Sequence, residues 1–190
     1  VQSVAWQSST SLLSAGIDHE IKLSAVDFGR SESSGGIAQT SPRPAARKNS
    51  HTFRGHSRSV SALCLLNDRQ TFVSAGVDQS LRVWDAQTGQ LIRRLNQHTG
   101  VVHDLALRPD DEGLPMVASA AGDRTIRFWQ PTIGRMVRYI RLDVESLSIA
   151  WLNVDTLIAG CVDGRLRIID ANNVKVTGNH PALDGWAYAV

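Results

Sequence analysis

The stretch from Gly55 to Asp85 reads GHSRSVSALCLLNDRQTFVSAGVDQSLRVWD, and the fold is read from it. It opens on Gly55-His56 and closes on Trp84-Asp85. Between these ends lie three alternating apolar runs, Val60–Leu66, Thr71–Ser74 and Leu81–Trp84. Turn residues separate them, at Asn67-Asp68 and around Gly76-Val77-Asp78. A period of two marks strands with one buried face, and clusters of Gly, Asn and Asp are where strands reverse.

The same frame recurs along the chain. SAGIDHEIKLS (Ser14–Ser24), SAGVDQSLRVW (Ser74–Trp84), SAAGDRTIRFW (Ser119–Trp129) and AGCVDGRLRII (Ala159–Ile169) align on Asp18, Asp78, Asp123 and Asp163. The last two aspartate steps are 45 and 40 residues, and the first is 60, so the first unit carries an insertion. Each unit divides into four strands. In the second they fall at about Ser59–Leu65, Thr71–Ala75, Ser80–Asp85 and Gln90–Asn96. In the third they fall at Val101–Leu107, Pro115–Ala120, Thr125–Gln130 and Arg135–Arg141. In the fourth they fall at Glu145–Trp151, Asp155–Gly160, Arg165–Asp170 and Val174–Gly178. Asp163-Gly164 suits a tight hairpin, because Gly accepts the positive φ such a turn requires. No segment sustains a capped helical period.

A Gly-His opening, a Trp-Asp close and four strand-length runs per unit of roughly 40–45 residues resemble a WD repeat, the unit of one β-propeller blade. The resemblance implies an all-β fold of four-stranded antiparallel blades around a central axis, forming an incomplete ring. The blade units are expected at about 1–54, 55–96, 97–141 and 142–182, with 183–190 as the first strand of a further blade. Since 190 residues begin and end in mid-blade in this register, the chain is expected to be part of a longer propeller whose remaining blades would be its neighbours. Alone, it is expected to self-associate through open strand edges.

The insertion at residues 27–50 is rich in Ser, Gly, Pro, Ala and Arg and poor in bulky apolar residues. It is expected to be disordered, since it buries too little to offset its ordering entropy. Arg43, Arg47 and Lys48 make a basic recognition segment one reading; a tolerated surface loop is preferred.

In WD repeats a His before the first strand, a Ser or Thr on the second, an Asp in the following turn and a Trp on the third form a buried hydrogen-bonded set. The resemblance carries this set to His56, Ser74, Asp78 and Trp84, and to His98, Ser119, Asp123 and Trp129, with Gln97 where the family prefers Gly. Asp accepts from one imidazole nitrogen, the other nitrogen pairs with the hydroxyl, and the hydroxyl oxygen takes the indole N–H. Ser, His and Asp together also evoke a hydrolase. That reading is set aside, because the hydroxyl is expected to face Trp rather than a cleft, and the set occurs twice. The first unit has Ser24 in the Trp position. The fourth has Ala159 for Ser, Ile169 for Trp and no preceding His, so both outer blades are expected to rely on apolar packing. Lys22, Arg82, Arg127 and Arg167 are read as ordinary strand cations opposite the apolar face, not as a phosphate track.

Lys and Arg total 20 and Asp and Glu 18, for a net charge of +2, so composition gives no argument for a nucleic-acid or membrane partner. His19, His51, His103 and His180 lack metal-ligand spacing, and no cofactor is expected. Cys64 and Cys161, outside any CxxC motif, are read as buried free thiols, which favours a reducing compartment such as the cytoplasm. The implied function is a non-catalytic scaffold for a protein or peptide partner. The alternative is an accessory propeller domain of a larger bacterial enzyme or signalling protein whose catalytic part lies elsewhere. The loops before the first strands and the Asp-bearing turns share one end of the blades, and Arg58, Gln97, Thr99 and Arg124 there are the candidate partner-binding residues.

Overall fold

The computed structural model of the chain describes residues 1–8, 11–25, 51–109 and 113–182. They form four antiparallel four-stranded sheets with no helix. The first blade holds β1 (Ser3–Ser8), β2 (Ser11–Ala15), β3 (Glu20–Ala25) and β4 (His51–Arg54). The second holds β5 (Val60–Leu65), β6 (Thr71–Gly76), β7 (Leu81–Asp85) and β8 (Leu91–Leu95). The third holds β9 (Val102–Leu107), β10 (Val117–Ala121), β11 (Thr125–Gln130) and β12 (Arg135–Arg141). The fourth holds β13 (Ser146–Trp151), β14 (Thr156–Cys161), β15 (Arg165–Asp170) and β16 (Lys175–Pro181). Within each blade the strands pair in chain order, and the leading strands β1, β5, β9 and β13 contact one another in succession. The blades therefore stack side by side around a common axis, as an arc not closed into a ring.

The strands differ from the sequence expectation by more than one residue at two places. In the third blade the second strand starts at Val117 rather than Pro115, since Pro has no N–H to give the ladder. In the fourth blade the last strand runs Lys175–Pro181 and leaves out Val174, which sits in the preceding turn with φ +54°. The long connection of the first blade lies between β3 and β4. The expected disorder of residues 27–50, the expected strand at 183–190 and the Asp110-Asp111-Glu112 loop lie outside the described residues.

A single blade buries neither of its apolar faces by itself; faces are buried where successive blades meet. Leu13, Ile21, Leu23 and Phe53 of the first blade pack on Val60, Phe72 and Trp84 of the second. Cys64, Val73 and Val83 of the second meet Leu105, Val117 and Trp129 of the third. Phe128 and Ile140 of the third meet Leu157 and Ile169 of the fourth. Trp84, Trp129 and Ile169, at the same position of successive third strands, thus each plug the interface with the preceding blade. Trp84 and Trp129 are almost wholly buried, and Trp84 lies edge-on to Phe53 at 5.8 Å.

Side chains of the leading strands also stitch blade to blade. Ser3 Oγ accepts from Leu63 N–H at 3.0 Å across the first interface. Ser61 Oγ donates to the Val102 carbonyl across the second. Asp104 Oδ2 accepts from Ile149 N–H at 2.9 Å across the third. Trp151 adds an indole N–H to the Ala106 carbonyl at 3.1 Å. No helix among the described residues is long and apolar enough to cross a membrane.

Candidate functional site

The structure brings together both sets of four residues. His56 Nδ1 lies 2.9 Å from Asp78 Oδ2, His56 Nε2 lies 2.7 Å from Ser74 Oγ, and Trp84 Nε1–H donates to Ser74 Oγ at 2.8 Å. In the third blade the distances are 2.8 Å for His98 to Asp123, 2.7 Å for His98 to Ser119 and 2.8 Å for Trp129 to Ser119. One proton order satisfies every group: indole to hydroxyl oxygen, hydroxyl to Nε2, Nδ1–H to carboxylate. Ser74 and Ser119 are fully buried, so neither hydroxyl opens to solvent.

The carboxylates are the junctions of these sets. Asp78 Oδ2 also accepts from Ser57 N–H, and its Oδ1 takes the N–H and hydroxyl of Ser80. Asp123 repeats this with Thr99 N–H and with Thr125. Each aspartate therefore ties the loop before the first strand to the turn between the second and third strands. Burial pushes the Asp123 carboxyl up, but the bonds from Thr125, His98 and Thr99 outweigh it and hold the group down at about 2. Asp78 is likewise held below the usual carboxylate range, burial notwithstanding, chiefly by His56. Burial keeps His98 below its ordinary 6.5, against the pull of Asp123. The buried pair is thus a neutral imidazole beside a carboxylate.

The residue after each blade aspartate is left-handed: His19 at φ +64°, Gln79 at +65°, Arg124 at +61° and Gly164 at +73°. Only the fourth blade places a glycine there.

The strand cations have burial and partners that the sequence reading did not include. Arg82 and Arg167 are buried, and Arg127 is nearly so. Each stands four residues after its blade aspartate and pairs with it, at 3.6 Å for Asp78–Arg82, 3.5 Å for Asp123–Arg127 and 2.8 Å for Asp163–Arg167. Lys22, at 2.8 Å from Asp18, is the exposed version. Period-two alternation correctly opposes these cations to the apolar face, but the opposite face is itself covered by the neighbouring blade. The recurring Asp-x-x-x-Lys/Arg spacing was the signal for the pairing. Gly55 has a specific reason as well: a Cβ there would run into the Arg82 guanidinium and crowd the Trp84 ring at 3.2 Å. In the third blade, where Gln97 replaces that glycine, Arg127 turns instead toward Thr125 and the Tyr139 ring.

Of the candidate partner residues, Arg58, Gln97, Thr99 and Arg124 are all exposed. Thr99 and Arg124 share one polar cavity of about 410 Å³, which Arg127, Tyr139 and Arg141 also line; Arg58 and Gln97 lie outside it. No cluster of three or more His, Cys, Asp or Glu able to hold a metal occurs among the described residues.

Residues 47–85 and 89–130 match the family model described as "WD domain, G-beta repeat". Two of its blades thus match WD repeats, and its four four-stranded antiparallel sheets are those of a WD-repeat β-propeller. It is 29% identical over 126 residues to the U5 small nuclear ribonucleoprotein 40 kDa protein of Dictyostelium discoideum, a match covering 66% of this chain and 35% of that protein. It is 31% identical over 106 residues to Cell division cycle 20.1, cofactor of APC complex, of Arabidopsis thaliana, covering 53% and 23%. It is 27% identical over 137 residues to THO complex subunit 3 of the same plant, covering 70% and 43%. The chain thus spans less than half the length of these relatives. Their names are those of a small nuclear ribonucleoprotein protein, a cofactor of the APC complex and a subunit of the THO complex. None of the three is bacterial, and they lend no support to the alternative of a bacterial multidomain enzyme.

Proposed function

We propose that this chain is a non-catalytic scaffold that holds a protein or peptide partner on the loops at the His–Asp end of its blades, with Arg58, Gln97, Thr99 and Arg124 contributing to the contact. The observation that carries this reading is the double tether at Asp78 and Asp123, each bonded to the loop before the first strand and to the turn after the second. Loops held this way lose little conformational entropy when a partner docks. Arg58 and Arg124 are the natural anchors, since Arg offers a planar fork of donors and a large contact surface.

The two His–Ser–Asp–Trp sets are assigned to the fold rather than to turnover. A nucleophilic hydroxyl needs a reacting carbon and an oxyanion site beside it, whereas Ser74 and Ser119 each spend the hydroxyl on His and Trp inside the blade. The near balance of charge favours protein over nucleic acid as the partner.

The test is affinity capture with the whole chain, partners identified by mass spectrometry and re-bound as purified proteins. Arg58→Glu plus Arg124→Glu is expected to abolish capture, and deletion of residues 27–50 to leave it intact. The opposite pattern moves the binding surface to the other end of the blades.

A further inference from the structure

The four blades share one frame, so the same positions can be compared across them. Three positions stand around the cavity of the third blade: the left-handed turn residue, the cation of the third strand and the residue at the end of the fourth strand in register with the second position after the blade aspartate. Here they are Arg124, Arg127 and Arg141. In the first blade they are His19, Lys22 and Arg54, and both cations are paired, Lys22 with Asp18 and Arg54 with Glu20 at 2.8 Å. In the second blade the flanking positions are the neutral Gln79 and Asn96. In the fourth they are Gly164 and Pro181, and Arg167 is taken up by Asp163 and Asp143. The third blade alone among the described blades gathers three arginines.

Acids balance these arginines only in part. Asp123 is the one carboxylate lining the cavity; it pairs with Arg127 at 3.5 Å, and its oxygens also accept from His98, Thr99 and Thr125. Arg127 is fixed by Thr125 at 3.1 Å and by the Tyr139 ring, whose centroid lies 5.7 Å from its guanidinium carbon. The guanidinium groups of Arg124 and Arg141 bond to no other side chain among the described residues. With one carboxylate for three guanidinium groups, the polar cavity of about 410 Å³ keeps an excess of positive charge at Arg124 and Arg141 that an entering anion would relieve. Arg124 is moreover kept at a left-handed position, where the fourth blade uses glycine.

We propose that this cavity receives a carboxylate from an acidic segment of a protein partner, with Arg124 and Arg141 closing on the oxyanion and Arg127 forming the positive floor. The inference rests on the reading that this end of the blades binds protein, and it adds the chemistry of what is bound. Arg–carboxylate pairs are charge-assisted and directional, and partly enclosed walls keep solvent from screening them fully.

The experiment measures binding of a fluorescent peptide of alternating Glu and Ser to the whole chain by anisotropy. A Gln-for-Glu peptide and a phosphoserine peptide of matched charge run in parallel. The Glu peptide is expected to bind, the Gln peptide not. Arg124→Gln with Arg141→Gln is expected to weaken binding at least about tenfold. Arg94→Gln with Arg135→Gln removes the same charge from exposed strand positions elsewhere and is expected to change it less than about twofold. Thr99→Glu places a resident carboxylate at the cavity and is expected to compete the peptide away; because Thr99 is exposed, that variant keeps its fold. Equal losses in the two double variants, binding of the Gln peptide or binding of the phosphoserine peptide alone would overturn the proposal. A chain that ignores the Glu peptide but still captures protein through Arg58 and Arg124 sinks this inference only; one that does neither sinks the reading beneath it as well.

Discussion

Arg167 and Asp163 of the fourth blade are joined by two parallel hydrogen bonds, Nη1 to Oδ1 at 3.0 Å and Nη2 to Oδ2 at 2.8 Å. Asp143 adds a third contact to the same guanidinium at 2.8 Å. This fork stands in the blade that lacks the His–Ser–Trp set. Leu142, four residues before β13, stands where His56 and His98 stand before β5 and β9. Leu142, Ala159 and Ile169 are all buried in one apolar cluster. Replacing every polar member at once avoids the orphaned donor that a single replacement would leave. The aspartate is then free of an imidazole partner, and the arginine takes it.

That pairing is lopsided in exposure, so its two halves should not be equivalent. The Arg167 side chain is 2% exposed, while Asp163 is 29% and Asp143 is 71% exposed. Asp163→Asn leaves a buried guanidinium with only the outlying Asp143 and is expected to cost about 1–3 kcal/mol. Arg167→Met leaves carboxylates that water can reach and is expected to cost about 1 kcal/mol or less. Urea unfolding of the two variants gives the order, and a costlier Arg167→Met would show that the guanidinium head's bonds to the two carboxylates outweigh the cost of burying its charge.

Trp84 joins burial to a hydrogen bond. It is 2% exposed and is flanked by Phe53 and Phe72. Trp84→Ala is expected to cost about 3–5 kcal/mol, from a cavity at the interface with the first blade and a serine that loses its donor. A denaturant titration showing less than about 1 kcal/mol would remove the set from that blade's stability.

Gln79 holds φ +65° in the turn where the fourth blade has Gly164. A non-glycine residue there carries a steric cost of about 1–2 kcal/mol, partly offset by the extra freedom glycine gives the unfolded chain. Gln79→Gly is therefore expected to stabilise by about 0.5–1 kcal/mol. Unchanged or lowered thermal midpoints would mean that the Gln79 side chain makes compensating contacts.

Acid should act on the third blade in two stages. His98 titrates below its ordinary 6.5 in the folded chain. As pH falls below 6.5 the unfolded imidazole takes a proton first, so stability declines from there down to the folded value. Asp123 is held at about 2 against an ordinary 3.8. Its contribution is present above 3.8 and is lost as pH falls through that window toward 2. Urea midpoints across this range, with imidazole NMR titration of His98, check both stages; a His98 resonance titrating at or above 6.5 contradicts the neutral buried imidazole.

The readable parts of this molecule are those that repeat at fixed local spacing. The aligned aspartates mark the blades, and the His, Ser, Asp and Trp positions that the structure brings within hydrogen-bond reach follow from one frame applied twice. The Asp–Arg pairs had the same kind of signal, a constant four-residue step. Their burial is not legible in the same way, because alternation says which face a side chain takes, not that another blade covers that face. Asp143 beside Arg167, 24 residues away, has no counterpart in the other units and so no pattern. The contact of Asp104 with Ile149, 45 residues apart, depends on how two leading strands stack, which no local period encodes.

Asp104 yields the last prediction. Burial raises its carboxyl above the ordinary 3.8, opposed by the N–H groups of Ile149 and Leu105. A raised folded value means that the folded state holds the proton more tightly than the unfolded one. Stability is then lost as pH rises from 3.8 through the folded value, and the full penalty is present above it. Asp104→Asn keeps an acceptor oxygen for the Ile149 N–H and removes the charge. It is expected to match wild type near pH 3 and to exceed it at pH 7. Asp104→Ala removes the acceptor and leaves the Ile149 N–H unpaired between the third and fourth blades, at an expected cost of about 1–3 kcal/mol. Thermal unfolding of the three proteins at the two pH values separates charge from hydrogen bond. An Asn variant less stable than wild type at pH 7 would mean that the ionised carboxylate, not the bare acceptor, holds those blades together.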